Sequence, residues 1–133
     1  MADILGKKSI LVIDDNAGCR LAVVAILKDY GYEVDAAQNG HEALNFINNK
    51  RYDLVITDLE MPGISGIDLL RNIKASAPDT NVIIATGGGT VNSYMESIIL
   101  GACEYLTKPI EMKRLTKTVA NVFSQYQQPR LAA

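Results

Sequence analysis

Residues 9–16 read Ser9-Ile10-Leu11-Val12-Ile13-Asp14-Asp15-Asn16. A short run of aliphatic residues stops abruptly at two acids and an asparagine. A continuous apolar run of this length fits a strand buried on both faces, as in a parallel sheet. Asn16 is a favourable helix N-cap, and the spacing that follows predicts a helix over residues 17–29. Gly31 then supplies the left-handed residue that ends it. The stretch therefore reads as strand, polar turn, helix.

The same unit recurs along the chain. A second run spans residues 32–37, and a short helix with Ala43, Leu44, Phe46 and Ile47 follows Gly40. A third run, residues 53–57, ends at Asp58, and a loop with Pro62, Gly63 and Gly66 leads to a helix near residues 67–75. The fourth run, residues 81–85, ends at Thr86; three glycines precede a helix over residues 91–100, closed by Gly101. The fifth, residues 103–106, ends in Thr107-Lys108-Pro109. The last helix, residues 111–125, carries Met112, Leu115, Val119, Val122 and Phe123 at helical spacing. Five strands alternating with five helices imply a single-domain α/β protein: a doubly wound parallel five-stranded sheet covered on both faces. The expected order is the flavodoxin-like 2-1-3-4-5, with a site beyond the carboxyl ends of the strands, between strands one and three.

Composition narrows the function classes. The 133 residues suit one domain, expected over residues 8–126 with short tails at 1–7 and 127–133. Nearly half the residues (48%) are apolar, enough for a core and against disorder. A net charge of −2 gives no electrostatic basis for direct nucleic-acid binding. No stretch approaches the roughly 18 apolar residues of a membrane helix, and Lys7 and Lys8 interrupt any signal-peptide core. Membrane insertion is not expected, and the expected location is the cytoplasm. Cys19 and Cys103 lie in unrelated contexts, so two buried reduced thiols are expected. No DNA-binding or catalytic output domain is legible after residue 125, which leaves open a stand-alone protein or a piece of a larger one.

The polar residues fall where that topology puts a site. Strand one ends in Asp14 and Asp15, strand three in Asp58 and strand four in Thr86, while Lys108 follows strand five. Three carboxylates in one cleft repel one another and are costly to desolvate. Lys108 offers one compensating charge, and a divalent cation offers two more; hard oxygen donors suit Mg²⁺. Such a cation lets a phosphate approach, and a carboxylate is a competent nucleophile for phosphoryl transfer. Lys108 and the cation would stabilise the charge on the transferring group, and the Thr86 hydroxyl could bond one of its oxygens.

At this point the sequence resembles the receiver domain of two-component response regulators. The resemblance is carried by Ile10-Leu11-Val12-Ile13-Asp14-Asp15-Asn16, by Asp58-Leu59-Glu60-Met61-Pro62 with Gly66, by Ala85-Thr86-Gly87, and by residues 101–109 through Tyr105, Lys108 and Pro109. It covers residues 8–125, and four pieces in order at matching spacing are highly specific. It implies that Asp58 is the phosphoacceptor. Asp14 and Asp15 would hold Mg²⁺ (with Mn²⁺ able to substitute) together with Asp58 and the backbone carbonyl of Glu60, Asp15 being the direct ligand of the acid pair. Thr86 and Tyr105 would be switch residues, Lys108 would stabilise the phosphoryl group, and the bond before Pro109 would be cis. The implied partners are a sensor histidine kinase or a histidine phosphotransfer protein upstream, and a protein target or a second copy downstream. The downstream partner would read the face made of helix four, strand five and helix five. The protein would be a signalling switch, catalysing only its own phosphorylation and dephosphorylation. Two features depart from the common pattern. Three glycines follow Thr86, which predicts a mobile loop, and Glu60 and Gly88 stand at positions that tune phosphoryl lifetime in the family.

Blander readings exist for each residue. Asp14 and Asp15 could merely cap a helix, Asp58 could be a turn residue, Lys108 a solvated lysine and Tyr105 a core aromatic. Capping needs one side chain, however, and the acids, Pro62 and Lys108 occur together. His41 reads as an exposed helix residue, and Lys113, Arg114 and Lys117 as a solvated face. Among rival functions, a haloacid-dehalogenase-type hydrolase would carry its nucleophile in a DxD pattern after strand one. A flavin or nucleotide binder would need a phosphate loop where Asp14 and Asp15 stand. A degenerate receiver would lack one of the five key residues.

Overall fold

The computed structural model describes residues 6–127. Five parallel strands form one sheet: β1 (Ser9–Ile13), β2 (Glu33–Ala37), β3 (Leu54–Thr57), β4 (Asn81–Thr86) and β5 (Glu104–Thr107). Five helices connect and follow them: α1 (Ala17–Asp29), α2 (Gly40–Asn49), α3 (Gly66–Ser76), α4 (Val91–Ile99) and α5 (Met112–Gln127). The spatial order is β2-β1-β3-β4-β5, the expected flavodoxin-like one. Several ends differ from the expected ones by a residue or two, which is where fraying and capping decide the boundary. The two expected tails fall almost wholly outside the described residues.

The sheet divides the core by residue parity. Ile10, Val12, Leu54, Ile56, Ile83 and Ala85 pack with Val23 and Leu27 of α1 and with Leu115, Val119, Val122 and Phe123 of α5. Leu11, Ile13, Val55, Val82 and Ile84 face the other way, onto Ala43 of α2 and Leu69, Leu70 and Ile73 of α3. Alternating side chains thus fill two layers, and the central strands are buried almost throughout. The edge strands β2 and β5 are only partly buried, since each is covered less completely.

The turns follow local chemistry. Asn16 caps α1, its side-chain oxygen accepting from the Cys19 N–H at 2.8 Å, and Gly31 adopts φ +93° just past the helix. Asn39, Ser65 and Thr90 cap α2, α3 and α4 in the same way. The cysteines depart from expectation: both are free but only half-buried. Cys19 lies in the exposed first turn of α1, and Cys103 sits just before the edge strand β5 with its thiol on the Val82 carbonyl. Burial still pushes both thiols up to about 11, out of the reactive range.

Candidate phosphoryl-acceptor site

The register of the sheet assembles the site. Ile13 pairs with Thr57, so the next residues, Asp14 and Asp58, leave adjacent strands side by side at the point where the strand order reverses. Thr86 pairs with Thr107, which sets Lys108 one step beyond on the same rim. The Lys108 N–H donates to the Thr86 carbonyl at 3.0 Å, and the Lys108–Pro109 bond is cis, as expected.

The Lys108 ammonium lies 2.7 Å from Asp14 Oδ2 and 2.7 Å from Asp58 Oδ2. Both carboxylates are buried, at 5% and 7% exposure. Their other oxygens accept backbone N–H groups: Asp14 Oδ1 from Asn16 at 2.9 Å, and Asp58 Oδ1 from Glu60 at 3.0 Å. Burial alone would depress the Lys108 ammonium, but its bonds to Asp14 and Asp58 and their charge reverse this. They hold it above its ordinary value.

Asp15 is exposed at the mouth. One carboxylate oxygen each from Asp14, Asp15 and Asp58 falls within 4.8 Å of the others. Three acids against one lysine leave the pocket net negative. The cluster is of hard oxygen donors, and its donors converge closely enough to share one small dication. The capping reading of the acid pair fails here, because Asn16 caps α1 while Asp14 faces Lys108.

Thr86 stands on the same rim and is buried, yet its hydroxyl has no hydrogen-bond partner among the described residues. Tyr105 is not among the acids. Its hydroxyl lies 3.4 Å from Ser93 Oγ, and its ring meets Tyr94 edge-on with centroids 5.2 Å apart. His41 is exposed, as are Lys113, Arg114 and Lys117.

Several supporting contacts were not legible in the sequence. The Arg20 guanidinium donates to the Asp14 carbonyl at 2.8 Å and pins the β1–α1 turn. Gly66 lies against the backbone of the acceptor loop: an added Cβ would overlap the Asp58 carbonyl oxygen and come within 2.6 Å of Leu59 Cα. A Cβ on Gly88 would overlap the Glu60 carboxylate, and one on Gly89 the Tyr105 hydroxyl. Gly88 and Gly89 therefore provide clearance, which the expectation of a mobile loop did not include. A glycine's local sequence carries no sign of what packs on it.

The comparisons with known proteins agree with this geometry. The family model described as response regulator receiver domain matches residues 10–120. The chain belongs to the response regulator receiver domain family. It is 38% identical over 116 residues to the transcriptional regulatory protein ZraR of Salmonella typhimurium, a match covering 87% of this chain and 26% of that one. The chain thus spans about a quarter of that relative's length. It is 33% identical over 113 residues to sporulation initiation phosphotransferase F of Bacillus subtilis, covering 85% of this chain and 91% of that one. Among solved structures, a CheY-like receiver domain protein from Methanospirillum hungatei superposes with a TM-score of 0.89 at 27% identity, covering 91% of this chain and 97% of that one. The beryllofluoride-activated NtrC4 receiver domain dimer gives 0.84 at 33%, covering 90% and 98%. This receiver domain is therefore a signalling module by family, and the rival hydrolase and nucleotide-binder readings are set aside.

Proposed function

We propose that this receiver accepts a phosphoryl group on Asp58 from the phosphohistidine of a sensor kinase or phosphotransfer protein. The observation that carries the proposal is the Lys108 bridge to Asp14 and Asp58, set beside the three converging carboxylates. A carboxylate oxygen of Asp58 attacks phosphorus, the P–N bond of the donor breaks, and the leaving imidazole takes up a proton. Lys108 already sits on an Asp58 oxygen and is placed to hold an oxygen of the arriving group. Asp14, Asp15, Asp58 and the Glu60 carbonyl would hold Mg²⁺ (or Mn²⁺), which when bound supplies the positive charge that lets a phosphoryl dianion enter an acidic cleft. The Thr86 hydroxyl, buried and without a partner among the described residues, would donate to an oxygen of that group. Tyr105 and the face of α4, β5 and α5 would carry the change to a downstream protein or a second copy.

Intact-mass measurement after incubation with acetyl phosphate and Mg²⁺ tests this reading. The expected result is one added phosphoryl group on the native chain and none on Asp58→Asn. Equal labelling of the variant would overturn the assignment.

A further inference from the structure

Helix α4 is built inside out. Its only fully buried residue is Ser97, whereas Val91, Tyr94, Met95, Ile98 and Ile99 are large, apolar and exposed. Little core packing holds its first turn, so that turn depends on its cap. Thr90 and Ser93 form a reciprocal capping box: Ser93 N–H donates to Thr90 Oγ1 at 3.1 Å, and Thr90 N–H donates to Ser93 Oγ at 2.8 Å. The same Ser93 Oγ stands 3.4 Å from the Tyr105 hydroxyl. Independently, Gly89 leaves room for that hydroxyl, and the Tyr94 ring packs edge-on against Tyr105.

From this geometry we infer that Gly89, Ser93 and Tyr94 form a seat for the Tyr105 side chain, with Ser93 the positioning residue that couples the tyrosine to the capping of α4. Occupation of the seat stabilises the first turn. Departure of the tyrosine removes one partner from Ser93 Oγ and the edge contact from Tyr94. The first turn then opens more often, and the apolar face beyond it is presented differently. The seat does not depend on phosphorylation; its use as the relay from Thr86 to α4 rests on the phosphoryl-switch reading above.

Amide hydrogen exchange on the full chain, without phosphoryl donor or metal, tests the coupling. The variants are Ser93→Ala, Tyr105→Phe, the double variant and Gly89→Ala. Tyr105→Phe retains the ring and the capping box, so a purely structural Ser93 would leave it silent. The expected result is a roughly three- to tenfold faster exchange of the amides at 93–95 in Tyr105→Phe, the size of one hydroxyl hydrogen bond. The double variant should exchange no faster than Ser93→Ala alone, the non-additivity of two partners in one contact. Gly89→Ala, whose Cβ must expel the phenol, should reproduce the Tyr105→Phe pattern. Unchanged exchange in Tyr105→Phe, or effects that multiply in the double variant, would overturn the seat. A second arm adds beryllofluoride and Mg²⁺. Failure of the native chain to bind it at Asp58 counts against the phosphoryl reading alone; binding at Asp58 with no change at 93–95 counts against the relay.

Discussion

Lys108 Nζ lies 2.7 Å from Asp58 Oδ2, although the two residues are 50 positions apart in the chain. With the matching bond to Asp14, this lysine is, among the described residues, the cation that bonds both buried carboxylates of the cleft. The arrangement balances only part of the negative charge, so stability, metal affinity and phosphoryl acceptance should be linked.

Replacing Lys108 with Met should therefore destabilise the metal-free protein by roughly 3 kcal/mol, because two buried carboxylates lose their partner. Mg²⁺ should restore more stability to this variant than it adds to the native chain. Urea unfolding with chelator and with Mg²⁺ measures both. Asp15→Asn should weaken the Mg²⁺ effect and His41→Ala should leave it intact, while chelation should stop phosphorylation of the native chain. Equal Mg²⁺ stabilisation in Asp15→Asn and His41→Ala would contradict the proposed ligand set.

Thr86→Val should stabilise the unphosphorylated protein by about 1 kcal/mol. The hydroxyl is buried without a partner among the described residues, and an isosteric methyl removes that desolvation cost. Phosphorylated Thr86→Val should lose the conformational response, since the donor is gone. Equilibrium unfolding reads the first effect, and a loss of stability would contradict it.

Gly66→Ala should act through the backbone of the acceptor loop. Its Cβ meets the Asp58 carbonyl and Leu59 Cα, which cannot rotate away as a side chain could. A loss of roughly 1–3 kcal/mol is expected from the overpacking. Phosphorylation should also slow on the order of tenfold to a hundredfold as Asp58 is displaced. A stable variant labelled at the native rate would show that the loop yields easily.

Away from the site, the Tyr52 hydroxyl donates to Asp35 Oδ2 at 2.6 Å, and Lys50 Nζ adds a bond at 3.1 Å. Burial alone would raise the Asp35 carboxyl, but these two partners outweigh it and hold it below its ordinary 3.8. A lowered folded-state value stabilises above the unfolded value, and that stability is lost as pH falls below about 4. Asp35→Asn should therefore show a shallower acid limb than the native chain. The Tyr52 phenol is raised above its ordinary 10.0 by burial and by Asp35, so its contribution is present below pH 10 and fades above it. Tyr52→Phe should cost about 1–2 kcal/mol at neutral pH. Denaturation midpoints across the pH range check all three.

The sequence by itself determined the elements, their order and the five rim residues Asp14, Asp15, Asp58, Thr86 and Lys108. These are local facts: a buried strand is a largely apolar run, and polar residues mark its end. Parallel connection then carries every such end to one edge of the sheet. Only the tertiary structure decided what touches what across distant segments. Tyr105 reads as a switch residue or a core aromatic, and nothing near it announces a hydroxyl resting over Gly89 beside Ser93. Gly66 reads as a loop residue, whereas its lack of a Cβ is required by the backbone of Asp58 and Leu59, and the Cβ positions of Gly88 and Gly89 are taken up by the Glu60 and Tyr105 side chains arriving from elsewhere. Asp35 and Tyr52 show no pairing signal across 17 residues. Side-chain contacts between segments depend on distances that no local periodicity encodes, so the fold and the site's membership were legible while its clearances and couplings were not.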